Sequence, residues 1–245
     1  MSRSAARIAA FFDVDGTILA GNSAASFARY MWDAGVARPR DLLFATWYLG
    51  LYRLGLLRPG QALERSTEVL RGKPEAWLVD HCEHWYARSV RPQIRSALVA
   101  LIEAHRGAGH VPVLLSSSTC YLGNPLGEEL HVEHRLVNRL ELDGQGRFTG
   151  KFVQPLCYGE GKVWHARRFA ETEGVDLASS FFYTDSITDL AVLEQVGHPR
   201  VVAPDPRLAR VARRRNWTVL DLDAAPDPLA QAKPVERRPE GSPSP

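Results

Sequence analysis

Cysteine is scarce in this chain: three in 245 residues, widely spaced at Cys82, Cys120 and Cys157. An odd and scattered set argues against a disulfide framework and for reduced thiols in a cytoplasmic protein. Charge of one sign is lacking too. The formal net charge of +2 is too small to argue for a nucleic-acid partner. No stretch reaches the roughly 18 apolar residues of a membrane span. The first ten residues carry Arg3 and Arg7 but only a stub of apolar residues, so no secretory leader is expected. Internal repeats are absent. What remains is ordinary for a soluble globular protein, with 45% hydrophobic and 24% charged residues. The length allows one large domain, or a domain carrying a smaller insertion.

Short apolar runs recur at Arg7–Phe12, His110–Leu115, Ser180–Tyr183, Arg200–Val202 and Thr218–Leu222. Each is brief and followed by turn or polar residues, as expected of strands buried on both faces. Helical patterns separate them at Pro92–His105, Lys162–Glu173, Asp189–Val196 and Pro206–Arg215. The alternation predicts an α/β fold: a Rossmann-like, doubly wound parallel sheet. In such sheets ligands bind beyond the carboxyl ends of the strands.

About a hundred residues separate the first two strands, far more than a βαβ crossover needs. The segment 22–90 therefore reads as an inserted, all-helical cap, with helices over Ser23–Ala34, Pro39–Leu57, Gln61–Arg71 and Pro74–Ser89. The catalytic core would then be discontinuous, residues 1–21 and 91–222. Arg139–Phe152 has hairpin chemistry: an alternating Leu140-Glu141-Leu142, a turn at Asp143–Gly146, then Arg147-Phe148-Thr149-Gly150. The tail 223–245 holds six prolines and reads as disordered.

Asp13-Val14-Asp15-Gly16-Thr17 directly follows the first apolar run. Two carboxylates at the end of a buried strand are costly unless something uses them, and a divalent cation with a phosphate is the obvious user. Three more clusters follow in order. Ser116 closes the second strand in Leu114-Leu115-Ser116-Ser117-Ser118. Lys162 ends Gly159-Glu160-Gly161-Lys162. Asp185-Ser186-Ile187-Thr188-Asp189 follows the third strand.

These four motifs, over residues 11 to 189 and in this order, resemble the haloacid dehalogenase superfamily, subfamily IB, in the branch that contains phosphoserine phosphatases. The resemblance implies a Mg²⁺-dependent phosphomonoester hydrolase acting on a small-molecule substrate. Asp13 would be the nucleophile that forms an aspartyl-phosphate, and Asp15 the general acid and then base. Ser116, Ser117 and nearby amides would hold the phosphoryl oxygens, with Lys162 neutralising charge. Asp13, Asp185 and the backbone carbonyl of Asp15 would bind the metal, and Asp189 would hold a metal-bound water. A phosphotransferase using the same intermediate, or a binding protein with a fossil site, are the other readings. Every motif position keeps usable chemistry, which argues against the fossil.

By the same register Asn22 stands where phosphoserine phosphatases carry a glutamate that pairs with the substrate ammonium. A neutral amide cannot supply that pairing. Together with the apolar run Leu42–Leu57, whose only charge is Arg53, this points to a less polar lipid or alcohol phosphate rather than phosphoserine. The run reads as a helix buried in the cap; a membrane-surface helix would have a charged face. His81/His84 and His131/His134 have a spacing zinc sites use, but no further ligands accompany them, and both read as polar helix faces. Arg213–Arg215 reads as a solvated helix end.

Overall fold

The computed structural model describes residues 6–36 and 67–223. Strand β1 (Ala9–Phe12) is wholly buried and lies between β2 (Val111–Thr119) and β6 (Phe181–Thr184). Ala9 pairs with Val111 and Ala10 with Phe181. β3 (His134–Asn138) flanks β2, while β7 (His198–Val202) and β8 (Thr218–Leu220) extend the other side. The order is β3-β2-β1-β6-β7-β8, with every pairing parallel. All six carboxyl ends therefore lie on one edge.

Helices cover both faces, as strands apolar on both sides require. In chain order they are α1 (Ser23–Asp33), α2 (Glu75–Trp85), α3 (Ser96–Gly107), α4 (Cys120–Glu129), α5 (Glu160–Glu173), α6 (Leu190–Leu193) and α7 (Pro206–Arg215). α3 and α4 bury Leu98, Leu101, Ile102, Leu122 and Leu126 against the face that carries Phe12. α5, α6 and α7 bury Val163, Phe169, Leu193 and Leu208 against the face that carries Phe11. Phe12 stacks on Tyr183 at 4.8 Å between ring centroids, and Phe11 meets Phe169 edge-on at 5.8 Å. Burying each such ring contributes roughly 1.5–3 kcal/mol. That burial clamps from both sides the strand that ends at Asp13.

The described part of the segment between β1 and α3 is helical. α1 packs on the end of α2 through Phe27 against Trp85, and the Trp85 Nε1–H donates to Ser26 Oγ at 3.1 Å. α2 ends at Trp85, and helical turns continue through Val90. Pro39–Leu57, the apolar run within it, Gln61–Ser66 and the tail from residue 224 lie outside the described residues; Glu68–Leu70 form one 3₁₀ turn. The hairpin forms as expected, β4 (Leu140–Leu142) against β5 (Phe148–Phe152). Its turn side bonds to the approach to α2: Gly72 N–H to Phe148 O at 2.8 Å and Glu75 N–H to Gly146 O at 3.0 Å.

Two elements differ from expectation. His131–His134 is no helix face: His131 takes a φ of 53° just after α4, and His134 opens β3. β3 is an edge strand that begins with the polar pair His134-Arg135, which hides its apolar signal. α4 escapes notice because it contains Pro125, Gly123 and Gly127, all poor helix formers. β2 also runs three residues past Ser116, to Thr119.

Candidate active site

The carboxyl edge gathers residues from four separate parts of the chain. Asp13 follows β1 directly, and its N–H donates to Tyr183 O at 2.9 Å. The loop then turns back on itself, with Asp15 extended and Gly16 at φ 73°. Glycine is required at 16 twice over, because a Cβ there would lie 2.2 Å from Asp185 Oδ2. Thr17, fully buried, donates from Oγ1 to Asp185 Oδ1 at 3.3 Å. The first motif therefore packs directly against the fourth.

Lys162 joins the third. It lies in the first turn of α5, which approaches so closely that a Cβ on Gly161 would overlap Leu156 O. Its Nζ donates to Asp13 Oδ1 at 2.9 Å and to Asp189 Oδ2 at 2.8 Å. Lys162 and Asp189 are each 2% exposed and Asp13 is 6% exposed. Burial works against the lysine's charge, but Asp13 and Asp189 outweigh it and hold the ammonium above its ordinary range. Asp189 also accepts from Thr184 Oγ1 at 2.7 Å. Burial raises its carboxyl, opposed by Lys162.

Asp15 points the other way, to the start of α1. Ser23 donates to it twice, from N–H to Oδ1 at 2.7 Å and from Oγ to Oδ2 at 2.8 Å. Burial raises its pKa above the usual carboxylate value, and the nearby Asp13 adds to that; the two Ser23 bonds oppose them. The residue is thus oriented by the helical segment and biased toward holding a proton, the two properties a general acid needs. Asp185 is pushed up to about 7, mainly by burial and then by Asp13.

Ser116 is 1% exposed at the irregular end of β2. Its Oγ accepts from Ser118 N–H at 3.2 Å and lies 3.0 Å from Ser118 Oγ. Ser117 offers its carbonyl to Asn138 Nδ2 at 2.7 Å. Asn22 is exposed, and its Oδ1 caps α1 by accepting from Ala25 N–H at 2.9 Å. That oxygen is already engaged, one residue away from the contacts with Asp15.

The groups here suit a hard divalent cation. The donors are oxygens, and Asp13, Asp15, Asp185 and Asp189 face a single lysine. Burial first, and then the charge of Asp13, favours a proton on Asp185, and a bound cation would relieve both. Among the described residues no three His, Cys, Asp or Glu side chains converge as a ready-made cage. Mg²⁺ needs none: it commonly takes one or two carboxylates, keeps waters and shares substrate phosphate oxygens.

Several supports escaped the sequence reading. Ser23 figured there only as a helix start, and Asp205 was given no role. Asp205 accepts from Ile187 N–H at 2.7 Å, inside the fourth motif, while capping α7 at Arg207 and Leu208. Asn138 and Thr184 carried no signal beyond their polarity in buried strands.

A doubly wound sheet with this carboxylate and lysine cluster at one edge defines a class, the α/β phosphatases. The sequence model for haloacid dehalogenase-like hydrolases matches residues 10–194, and the chain belongs to that family. It is 33% identical to the inhibition of morphological differentiation protein of Streptomyces azureus, over 90% of this chain and 80% of that one. It is 32% identical to a probable phosphatase of Mycobacterium tuberculosis, over 93% and 82%. A phosphoserine phosphatase of the same organism is 29% identical over 89% and 71%. Among solved structures, a Bordetella pertussis protein of unknown function superimposes with a TM-score of 0.81 at 27% identity, covering 89% of this chain and 99% of that one. A phosphoserine phosphatase captured as an analogue of its phospho-aspartyl intermediate shares the fold, with a TM-score of 0.65 at 19% identity over 87% and 92%.

Proposed function

We propose that this phosphatase is a Mg²⁺-dependent phosphomonoester hydrolase that works through an aspartyl-phosphate on Asp13. One observation carries the reading: buried Lys162 bonds at once to Asp13 and Asp189, which come from different strand ends. That arrangement pins a carboxylate nucleophile beside a fixed positive charge, ready for a phosphoryl group.

Asp13 Oδ2 carries no hydrogen bond among the described residues and is the oxygen that attacks. It bonds to phosphorus as the phosphorus–oxygen bond to the substrate alcohol breaks. Asp15 gives its proton to the departing oxygen, so the alcohol leaves neutral. Asp15, now a carboxylate, takes a proton from water as the water oxygen attacks phosphorus. The bond to Asp13 breaks, returning its carboxylate and releasing inorganic phosphate. Ser116, Ser117 and neighbouring amides hold the phosphoryl oxygens, and Lys162 offsets their charge throughout. Asp13, Asp185 and the Asp15 carbonyl would hold Mg²⁺, with Asp189 beside them, and the ion would screen the repulsion between carboxylate and phosphate.

The chain is read as a core of residues 1–21 and 91–222 with a cap of 22–90, working in the cytoplasm, where its three free cysteines stay reduced. Asn22, used as a helix cap, offers no charge to a substrate ammonium. A lipid or alcohol phosphate is therefore favoured over phosphoserine, although one relative bears the phosphoserine phosphatase name. The test is phosphate release from p-nitrophenyl phosphate with and without Mg²⁺, then from phosphoserine, sugar phosphates and lysophosphatidate. Asp13→Asn should abolish turnover; full Mg²⁺-dependent activity in that variant overturns the nucleophile assignment. Phosphoserine as the dominant substrate overturns the substrate preference. An added alcohol acceptor separates hydrolysis from transfer.

A further inference from the structure

The pairing of β2 with β3 runs in register to Leu115 and Leu136 and resumes only at Thr119 and Asn138. The interruption leaves Ser116–Ser118 without regular ladder partners, and buried backbone groups need partners. Asn138 supplies one. It is 2% exposed, and its Nδ2 donates to Ser117 O at 2.7 Å. Its Oδ1 accepts from Cys157 N–H at 2.8 Å, and the Cys157 thiol donates to Leu136 O at 3.2 Å. Cys157 is five residues before Lys162. One amide thus ties the serine loop to the segment leading into the lysine.

The peptide between Ser117 and Ser118 is a planar unit whose C=O and N–H point in opposite directions. Asn138 draws the carbonyl one way; the Ser118 N–H on the opposite edge then meets Ser116 Oγ at 3.2 Å. Ser118 Oγ lies 3.0 Å from the same oxygen; with Ser118 donating from both its N–H and its hydroxyl, Ser116 Oγ accepts twice and its own proton is left to donate outward, to a phosphoryl oxygen. We infer that Asn138 is a positioning residue: through the Ser117–Ser118 peptide it aims the Ser116 hydroxyl, and through Cys157 it sets the distance between that hydroxyl and Lys162. The inference rests on the phosphatase reading above and extends it to a side chain that touches no substrate.

The isosteric Asn138→Asp keeps an acceptor for Cys157 N–H but turns the donor toward Ser117 O into a second acceptor. Asn138→Ala removes both bonds. KM for p-nitrophenyl phosphate and the inhibition constant of inorganic phosphate are read at fixed, saturating Mg²⁺. Neither constant depends on what fraction of a preparation is folded. Both should rise roughly tenfold or more in each variant, the scale expected for a buried group left without its partner. The melting-temperature gain that inorganic phosphate gives the native protein should shrink in parallel. Should Asn138→Ala not fold, Asn138→Asp and Asn138→Ser carry the same comparison. KM and phosphate inhibition within twofold of native in the folded variants would overturn the inference and leave the phosphatase reading intact. A native protein that releases no phosphate in Mg²⁺ would overturn the phosphatase reading instead.

Discussion

Lys162 holds together carboxylates that would otherwise repel. Its ammonium sits at 2.9 Å from Asp13 and 2.8 Å from Asp189, almost sealed from solvent. Replacing it by methionine keeps the volume of the stem but leaves two acids facing each other without a cation. Removing one partner of a buried ion pair typically costs about 3–5 kcal/mol, and loss of a fixed positive group at a phosphoryl site costs roughly a hundred- to a thousandfold in rate. Lys162→Met should therefore lower both the melting temperature and kcat by these amounts, measured by calorimetry and by p-nitrophenyl phosphate turnover. A variant of native stability and rate would show that the pairing carries no weight. At this scale the sequence was most legible. Asp13, Asp15, Ser116, Lys162, Asp185 and Asp189 each occupy a motif whose order along the chain mirrors its place at a strand end or helix start. Asn138 and Ser23 were not legible, because what matters there is which peptide the side chain reaches, and that depends on an irregular ladder and a turn. Gly16 was legible only as a member of its motif; that it must clear the Asp185 carboxylate was not.

At the scale of elements, the loop Asp185–Asp189 is short and owes its shape to a neighbour. Asp205 N–H donates to Asp185 O at 2.8 Å, and the Asp205 carboxylate accepts from Ile187 N–H at 2.7 Å while capping α7. Alanine at 205 loses the cap, worth about 1 kcal/mol, together with the tie to Ile187. Asparagine caps as well as aspartate, but it has only one acceptor oxygen, so its amide N–H₂ must confront the N–H of either Ile187 or the helix. The expected outcome is a drop of roughly 2–4 °C in melting temperature per kcal/mol lost, larger for Asp205→Ala than for Asp205→Asn. Both variants should lose more turnover than stability. Equal, native turnover in both would make Asp205 a helix cap and nothing more. The elements that the sequence hid share a cause. β3 is polar at its start and lies at the sheet edge, and α4 carries a proline and two glycines; burial by neighbours, not local propensity, makes them what they are. The central strands were legible because burial on both faces demands near-continuous apolar runs.

For the whole molecule, the acidic cluster couples stability to both pH and metal. The Asp185 carboxyl is pushed from its ordinary 3.8 up to about 7 by burial and by Asp13. Between those values the folded protein binds more protons at this group than the unfolded chain does. Its contribution to stability therefore falls as pH rises from about 4 to about 7. Asp15, also raised, acts in the same direction. A divalent cation that binds the ionised carboxylates of the folded state reverses the penalty, by an amount set by its concentration relative to its dissociation constant. At a hundredfold excess over that constant the gain is about 2.7 kcal/mol, or roughly 5–10 °C for a chain of this size. The gain should be present at pH 8, where the Asp185 carboxyl is ionised, and small at pH 5, where a proton occupies it. Differential scanning calorimetry at the two pH values, with Mg²⁺ and with EDTA, measures it. An Asp185→Asn variant should lose most of the Mg²⁺ gain at pH 8 and should stand above the native protein in melting temperature when both are in EDTA, because it no longer buries a charge that nothing offsets. A Mg²⁺ effect of equal size at both pH values, or one untouched by Asp185→Asn, would place the cation elsewhere on the protein.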